Sequence, residues 1–239
     1  MEVNLTIPPL RRVVVKISGH LINPDNIGLV LRYGEYLRKL RKEGLALAVV
    51  VGGGVYARKY ISAARSVGAS ESLCDILGVH ITRANALLLI SAIGLDQAYP
   101  EPPRSVEEFL RSSATGKIVV TGGFEPGQST ATVAALVAEA FRADALLLAT
   151  RVEGVYDRDP RVHRNAKLLK EATIAQLREI LSKTQSMKAG GYELLDPLAL
   201  AILERSKIPV IVFNGSKPEL LEEIVVKRRN PGTIIKPSP

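Results

Sequence analysis

Lys117-Ile-Val-Val-Thr-Gly-Gly-Phe-Glu-Pro-Gly-Gln-Ser-Thr-Ala131 reads as a strand that runs into a glycine-rich turn and out into a helix. Val119 and Val120 suit a buried strand. Gly122 and Gly123 let the backbone approach a bound group without interference from a Cβ. Gln128, Ser129 and Thr130 then open an alanine-rich helix. The free N–H groups and positive dipole end of such a helix suit an anion, and two hydroxyls add donors. A plain tight connection has the same pattern, so the remainder of the chain must discriminate.

Two further strand-to-helix turns stand upstream. Val13-Val-Val-Lys16-Ile-Ser-Gly19-His20 puts a lysine near the end of a strand, followed at once by a glycine turn. A cation there faces the same sheet edge as the first loop. Val49-Val-Val-Gly52-Gly-Gly54 precedes a helix that carries Arg58 and Lys59 one turn inside. Three consecutive glycines are costly in chain entropy unless the backbone must approach something closely. Arg58 can grip phosphate oxygens through two parallel hydrogen bonds, which lysine cannot do. Taken singly, the lysine reads equally as a strand-end surface charge and the glycines as helix–strand packing. Downstream, Ala149-Thr150-Arg-Val-Glu-Gly-Val-Tyr156-Asp-Arg-Asp159-Pro160 reads as a hairpin with Gly154 at its turn. Tyr156 offers a stacking ring, and Asp159 can orient a sugar hydroxyl or a hydrated metal ion. Alone, this loop too is a structural hairpin.

Around these turns, apolar runs alternate with helical patterns, the signature of repeated βα units. Strands are predicted near Arg12 to Ile17, Leu45 to Val51, Lys117 to Thr121, Ala145 to Ala149, Val210 to Phe213 and Thr233 to Ile235. Asp25 is expected to cap a helix running to about Glu43 and stopping at Gly44, with Leu29, Leu37 and Leu40 at helical spacing. Further helices are predicted over Tyr56 to Val67, Thr82 to Ile93, Val106 to Arg111, Thr130 to Arg142, Thr173 to Leu181, Pro197 to Arg205 and Pro218 to Val226. The 239 residues fit one large α/β domain or two lobes sharing a sheet. With 46% hydrophobic but only 5% aromatic residues, the core must be Val, Ile, Leu and Ala, which favours parallel strands under helices.

A single cysteine, Cys74, excludes a disulfide framework within a monomer and suits a reducing cytoplasm, where its expected role is a small buried apolar group. No signal segment and no uninterrupted apolar run of bilayer length is evident, so no membrane association is expected. The net charge of +8 invites a nucleic-acid partner. Its distribution argues against one: bases alternate with acids, as in Arg38-Lys-Leu-Arg-Lys-Glu43, and only Lys227-Arg-Arg229 is a compact basic run.

Lys16-Ile-Ser-Gly, the Gly52 to Gly54 turn with Arg58, Thr121 to Thr130, and Thr150 to Pro160 stand in the order seen in the amino acid kinase superfamily. Within it the chain closely resembles uridylate kinases of the archaeal type, over essentially residues 11 to 236. The resemblance implies a single domain with a three-layer α/β/α sandwich around a mostly parallel sheet. An acceptor-side lobe would cover about residues 1–145 and a nucleotide-side lobe about 146–239. It implies ATP-dependent phosphorylation of UMP, with Mg2+ carried by ATP and no protein metal ligand. ATP would contact Gly19, His20, Thr150, Arg151, Tyr156 and Asp159. UMP would be held by Gly53, Gly54 and Arg58 at its phosphate and by Asp75 at its ribose. Phe124, Glu125, Pro126, Gly127, Gln128, Ser129 and Thr130 would meet its base and phosphate. Lys16 and Arg58 would be catalytic, with Lys16 nearest the phosphoryl group in flight. Asp75 fits independently, since a carboxylate accepts two sugar hydroxyls and repels a second phosphate.

Several positions depart from the superfamily pattern. Ala131 stands where many members carry an aspartate, Arg151 where asparagine is frequent, and His20 where a smaller residue is common. Asp196 precedes Pro197 and reads as a helix N-cap. The other function classes compatible with these motifs are a kinase for a carboxylate or carbamate and a non-catalytic nucleotide or anion store. Homohexamers built from dimers are implied by resemblance, with Leu29 to Leu40 as a candidate apolar face, and UTP is an expected competitor for the UMP site.

Overall fold

The computed structural model describes residues 7–158, 162–163, 165–184 and 194–237. Its strands are β1 Arg12–Ile17, β2 Ala46–Val51, β3 Val119–Thr121, β4 Ala145–Thr150, β5 Glu171–Thr173, β6 Val210–Asn214 and β7 Thr233–Lys236. Its helices are α1 Ile27–Lys42, α2 Gly54–Ser66, α3 Glu71–Ile93, α4 Val106–Ser113, α5 Thr130–Phe141, α6 Ile174–Thr184, α7 Pro197–Ser206 and α8 Leu220–Val225. The strands form one sheet in the order β3-β2-β1-β4-β6-β7-β5. β1, β2, β3, β4 and β6 run parallel, while β7 is antiparallel to β6 and carries β5 parallel to itself.

Strand alternation sorts the core into two halves. Val13, Val15 and Ile17 of β1 face one cluster with Leu37 of α1 and Leu89 of α3. Val14 faces the other, with Val133 of α5 and Leu200 of α7. With a side-chain period of two, Lys16 falls on the Val14 face, the side covered by α5 and α7. The sheet is thus the middle layer of three, as the expected fold class requires.

The differences from the predicted elements have local causes. β5 has no apolar run, only the buried Ala172 between Glu171 and Thr173, so nothing in its pattern marks a strand. α3 begins eleven residues before the predicted Thr82, at Glu71, because Ser70 caps it by accepting from the Leu73 N–H. Gly78 had masked that first half; its missing Cβ would lie 3.0 Å from Ile61 Cδ1, so it lets α2 and α3 pack closely. With 23 residues and an 18-residue stretch of mean hydropathy 1.6, α3 matches a bilayer span by length and composition. Ala86, Leu89, Ile90 and Ile93 are nevertheless buried in the sheet-facing core, the placement of a core helix.

Asp25 does not cap the first long helix. It sits within a 3-10 turn, Pro24–Asn26, capped by Asn23, and accepts a hydrogen bond from the Tyr56 hydroxyl at 2.7 Å. Leu37 and Leu40 are 0% and 1% exposed, so the proposed Leu29 to Leu40 face belongs to the core; the outward apolar residues of α1 are Ile27 and Leu31. Cys74 is buried, as expected. The basic run at Lys227 to Arg229 is partly neutralised, with Lys227 at 2.6 Å and Arg229 at 3.6 Å from Glu223.

Candidate active site

The strand order turns back at β1: β2 and β3 lie on one side of it, β4 and β6 on the other. In open parallel sheets a crevice opens at such a switch point, beyond the carboxyl ends of the strands. A cleft of about 1150 Å³ lies there. Its lining includes Lys16, Gly19 and His20 after β1, Gly53, Gly54 and Arg58 after β2, Glu125, Gly127, Gln128, Ser129 and Thr130 after β3, and Thr150 and Arg151 after β4, with Asp75 from α3. Four motifs far apart in the chain thus meet in one cavity. Lys16 is central, in register with Val50 of β2 and Leu148 of β4.

The glycine turns are shaped chiefly by their contacts with protein. A Cβ on Gly19 would lie 2.2 Å from the Gly52 oxygen, and one on Gly54 2.2 Å from the Gly19 oxygen. The turns after β1 and β2 therefore interlock backbone to backbone, and Gly54 also adopts φ of +62°. Gly122 likewise faces α3, where its Cβ would meet Thr82 Oγ1 at 2.4 Å, while the Gly123 N–H donates to that hydroxyl at 2.6 Å. The space saved at Gly122 thus admits a helix instead of the bound group expected there. Arg83 fastens the same loop by donating to the carbonyls of Gly123 and Phe124, at 3.2 and 2.8 Å.

Asp75 accepts from the Gly127 N–H at 2.9 Å, which ties α3 to the loop across the cleft. Ser129, not Gln128 or Thr130, is the N-cap of α5: its hydroxyl oxygen accepts from the N–H groups of Ala131 and Thr132, both at 3.0 Å. The side-chain oxygen of Gln128 is buried without a hydrogen-bond partner. Three expected contact residues lie outside the lining: Phe124 is core, Pro126 is exposed, and Tyr156 bridges to Leu168. Gly154 does not make the hairpin turn. The arms pair from Val155 to Leu169, and Gly154 is needed where a Cβ would lie 2.5 Å from Thr233 Oγ1. Asp159 lies outside the described residues.

Sequence reasoning had not singled out Ser18, Asn26, Thr82, Val152, Leu194 or Ser216, which also line the cleft. Ser216 carried a usable signal, since Asn214-Gly-Ser216 is one more glycine turn at a parallel strand end. Thr82 carried none, being one polar residue inside a long apolar helix.

The amino acid kinase family profile matches residues 11–214. The chain belongs to that family. Among curated relatives, the uridylate kinase of Hyperthermus butylicus is 52% identical over 218 residues, 91% of this chain and 95% of that protein. The uridylate kinase of Sulfurisphaera tokodaii is 47% identical over 226 residues, 95% and 99% of the two chains. The crystal structure of uridylate kinase from Archaeoglobus fulgidus is similar with a TM-score of 0.82 at 38% identity, covering 93% of this chain and 99% of that one.

The N-terminus of α5 is also bound by a carboxylate from the start of α7. Asp196 is the N-cap of α7, as expected, accepting from the N–H groups of Leu198 and Ala199 at 3.0 Å each. The same carboxylate also accepts from the Ser129 hydroxyl and, at 2.8 and 2.9 Å, from the Thr132 hydroxyl. One acid therefore joins the N-termini of two helices. Burial opposes its charge, but the donors from Ser129, Ala199, Thr132 and Leu198 outweigh this and hold its carboxyl below the usual aspartate range. Replacing Asp196 with Ala should destabilise the fold by about 1–3 kcal/mol, through the lost cap and the unpaired hydroxyls. Because the folded pKa is depressed, the ionic contribution is present above the ordinary aspartate pKa of about 4 and lost as pH falls below it. Urea unfolding from pH 7 to pH 3 should therefore weaken the wild type more steeply than Asp196→Asn, and parallel curves would refute this.

Proposed function

We propose that the chain phosphorylates UMP with MgATP, giving UDP and ADP, in the pyrimidine nucleotide pathway of the cytoplasm. The observation that supports this best is the convergence of Lys16, Arg58, Arg151 and three glycine turns in one cleft at the switch point of the sheet, with Asp75 opposite. The family relatives named uridylate kinase support the substrate. UMP would occupy the side built by β1 to β3, about residues 1–145, and ATP the side built from residue 146 onward.

The reaction needs no strong base, because the attacking UMP oxygen is already anionic. It bonds to the γ-phosphorus of ATP while the bond from that phosphorus to the bridging β-oxygen breaks, and the electron pair leaves on ADP. The difficulty is repulsion between two anions that must be held in line. Arg58 would hold the UMP phosphate, with help from the N–H groups of Gly53, Gly54 and Thr130. Arg151 would hold the polyphosphate. Lys16, at the end of the central strand, would lie between them and neutralise the group in transfer. The Asp75 carboxylate can accept from ribose hydroxyls through the oxygen not used by Gly127. Mg2+ would enter with ATP as part of the substrate.

We also propose a homohexamer, a trimer of dimers, and competition by UTP at the UMP site. The outward apolar residues Leu73, Ile76 and Leu87 of α3 support a buried subunit contact.

ADP release measured with UMP, CMP, acetylglutamate and carbamate tests the assignment. UMP should give by far the largest rate, and no rate above ATP hydrolysis would overturn the proposal. In Arg58→Ala, kcat/KM for UMP should fall by about 10²-fold or more, the loss of a bidentate charged contact. Arg58 is exposed at the helix surface, so the melting temperature should hardly move.

A further inference from the structure

His20 is held in an unusual setting. Its backbone is pinned: the His20 carbonyl accepts from Asn23 Nδ2 at 3.1 Å and Asn26 Nδ2 at 2.8 Å. The ring projects from the Gly19 turn into the cleft. There Nε2 lies against the Arg58 guanidinium, which has only donors to offer it. The charged groups acting on the ring are Arg151 after β4, Arg58 on α2 and Lys16 on β1. Burial first, and then these three cations, lower the ring's pKa and favour its neutral form. Two carboxylates stand nearby: Asp25 of the neighbouring turn accepts from the Tyr56 hydroxyl, and Asp75 accepts from the Gly127 N–H across the cleft.

We propose that His20 takes up a proton when phosphate groups enter the cleft, and that the imidazolium so formed is a further cation holding the phosphates during transfer. The inference rests on the nucleotide reading of the cleft. Nucleotide phosphates bring several negative charges beside a ring that Arg151, Arg58 and Lys16 hold toward neutrality, which opposes their field. A phosphate that draws the Arg58 guanidinium to itself also removes the donor occupying Nε2. The freed nitrogen can then bind a proton from solvent and donate it as a hydrogen bond to a phosphate oxygen. On product release the proton returns to solvent, so nothing is consumed. A neutral histidine thus lowers repulsion among the cations of the cleft and adds a cation only when anions are present.

Isothermal titration at pH 7.5 in buffers of different ionisation enthalpy counts the protons taken up. Wild type and His20→Gln would be titrated with UMP, with a non-hydrolysable MgATP analogue, and with both together. The wild type should bind about 0.3–1 proton more per site than His20→Gln when both ligands are present, the amount expected as a histidine moves from mostly neutral to mostly charged. Subtracting the variant cancels any titration of the ligands themselves. Equal proton counts with intact binding would overturn the role of His20 and leave the nucleotide reading standing. No binding of either ligand by the wild type would overturn both. Should His20→Gln fail to fold, ring-proton NMR of the wild type decides: one of the three histidines must rise by at least about one pKa unit on adding both ligands, and no rise would refute the inference.

Discussion

Lys16→Met is expected to lower kcat for UMP phosphorylation by about 10²–10³-fold with little change in the KM of either nucleotide. Methionine keeps an unbranched apolar stem at the end of β1, where the neighbouring backbone is fixed by strands on both sides. What it removes is the charge at the centre of the cleft. A group whose main interaction forms with the transferring phosphoryl group contributes to the transition state and little to ground-state binding, so the loss should appear in kcat. Single-turnover and steady-state rates should fall together, and the melting temperature should stay near that of the wild type. An equal rise in both KM values at unchanged kcat would make Lys16 a binding residue only.

Gly54→Ala should destabilise the protein by about 3 kcal/mol or more and lower its melting temperature by roughly 6–12 °C. Two independent penalties combine there. The residue adopts φ of +62°, and its new Cβ would lie 2.2 Å from the Gly19 oxygen and 2.8 Å from the His20 nitrogen. Those atoms are backbone, so relief requires moving the turn that carries His20. Activity should therefore fall even in the fraction that remains folded. Gly44→Ala provides the contrast: φ is +90°, but nothing lies within 4 Å of the added carbon. It should cost only about 1 kcal/mol and leave turnover unchanged. If the two variants melt alike, the interlock of the two turns has no energetic weight.

β1, β2, β3, β4 and β6 were legible because each carries an apolar run, and all but β4 have a glycine turn at the carboxyl end. The same turns marked most of the cleft, since parallel strands deliver their carboxyl ends to one edge. Reading failed where the signal was not local. β5 is a three-residue pairing held by β7, and half of α3 was hidden by a glycine whose purpose is its contact with Ile61 of α2. Gly122 and Gly154 were recognised as special, but both exist to admit neighbouring protein, Thr82 in one case and Thr233 in the other. Asp196 was legible as a cap from the proline after it. Its hold on Ser129 and Thr132 depends on α7 packing beside α5 and has no trace in spacing.

The order of apolar runs, glycine turns and cations along the chain was enough to specify an α/β sandwich with an anion-binding edge, because strand burial, backbone freedom and charge are properties of short segments. Which hydroxyls a distant carboxylate binds, which glycine admits a neighbouring helix, and which cations surround His20 are different questions. They are answered by distances between segments far apart in the chain, such as Ser129 and Asp196, which are 67 residues apart. Only the packed sheet and its helices fix those distances.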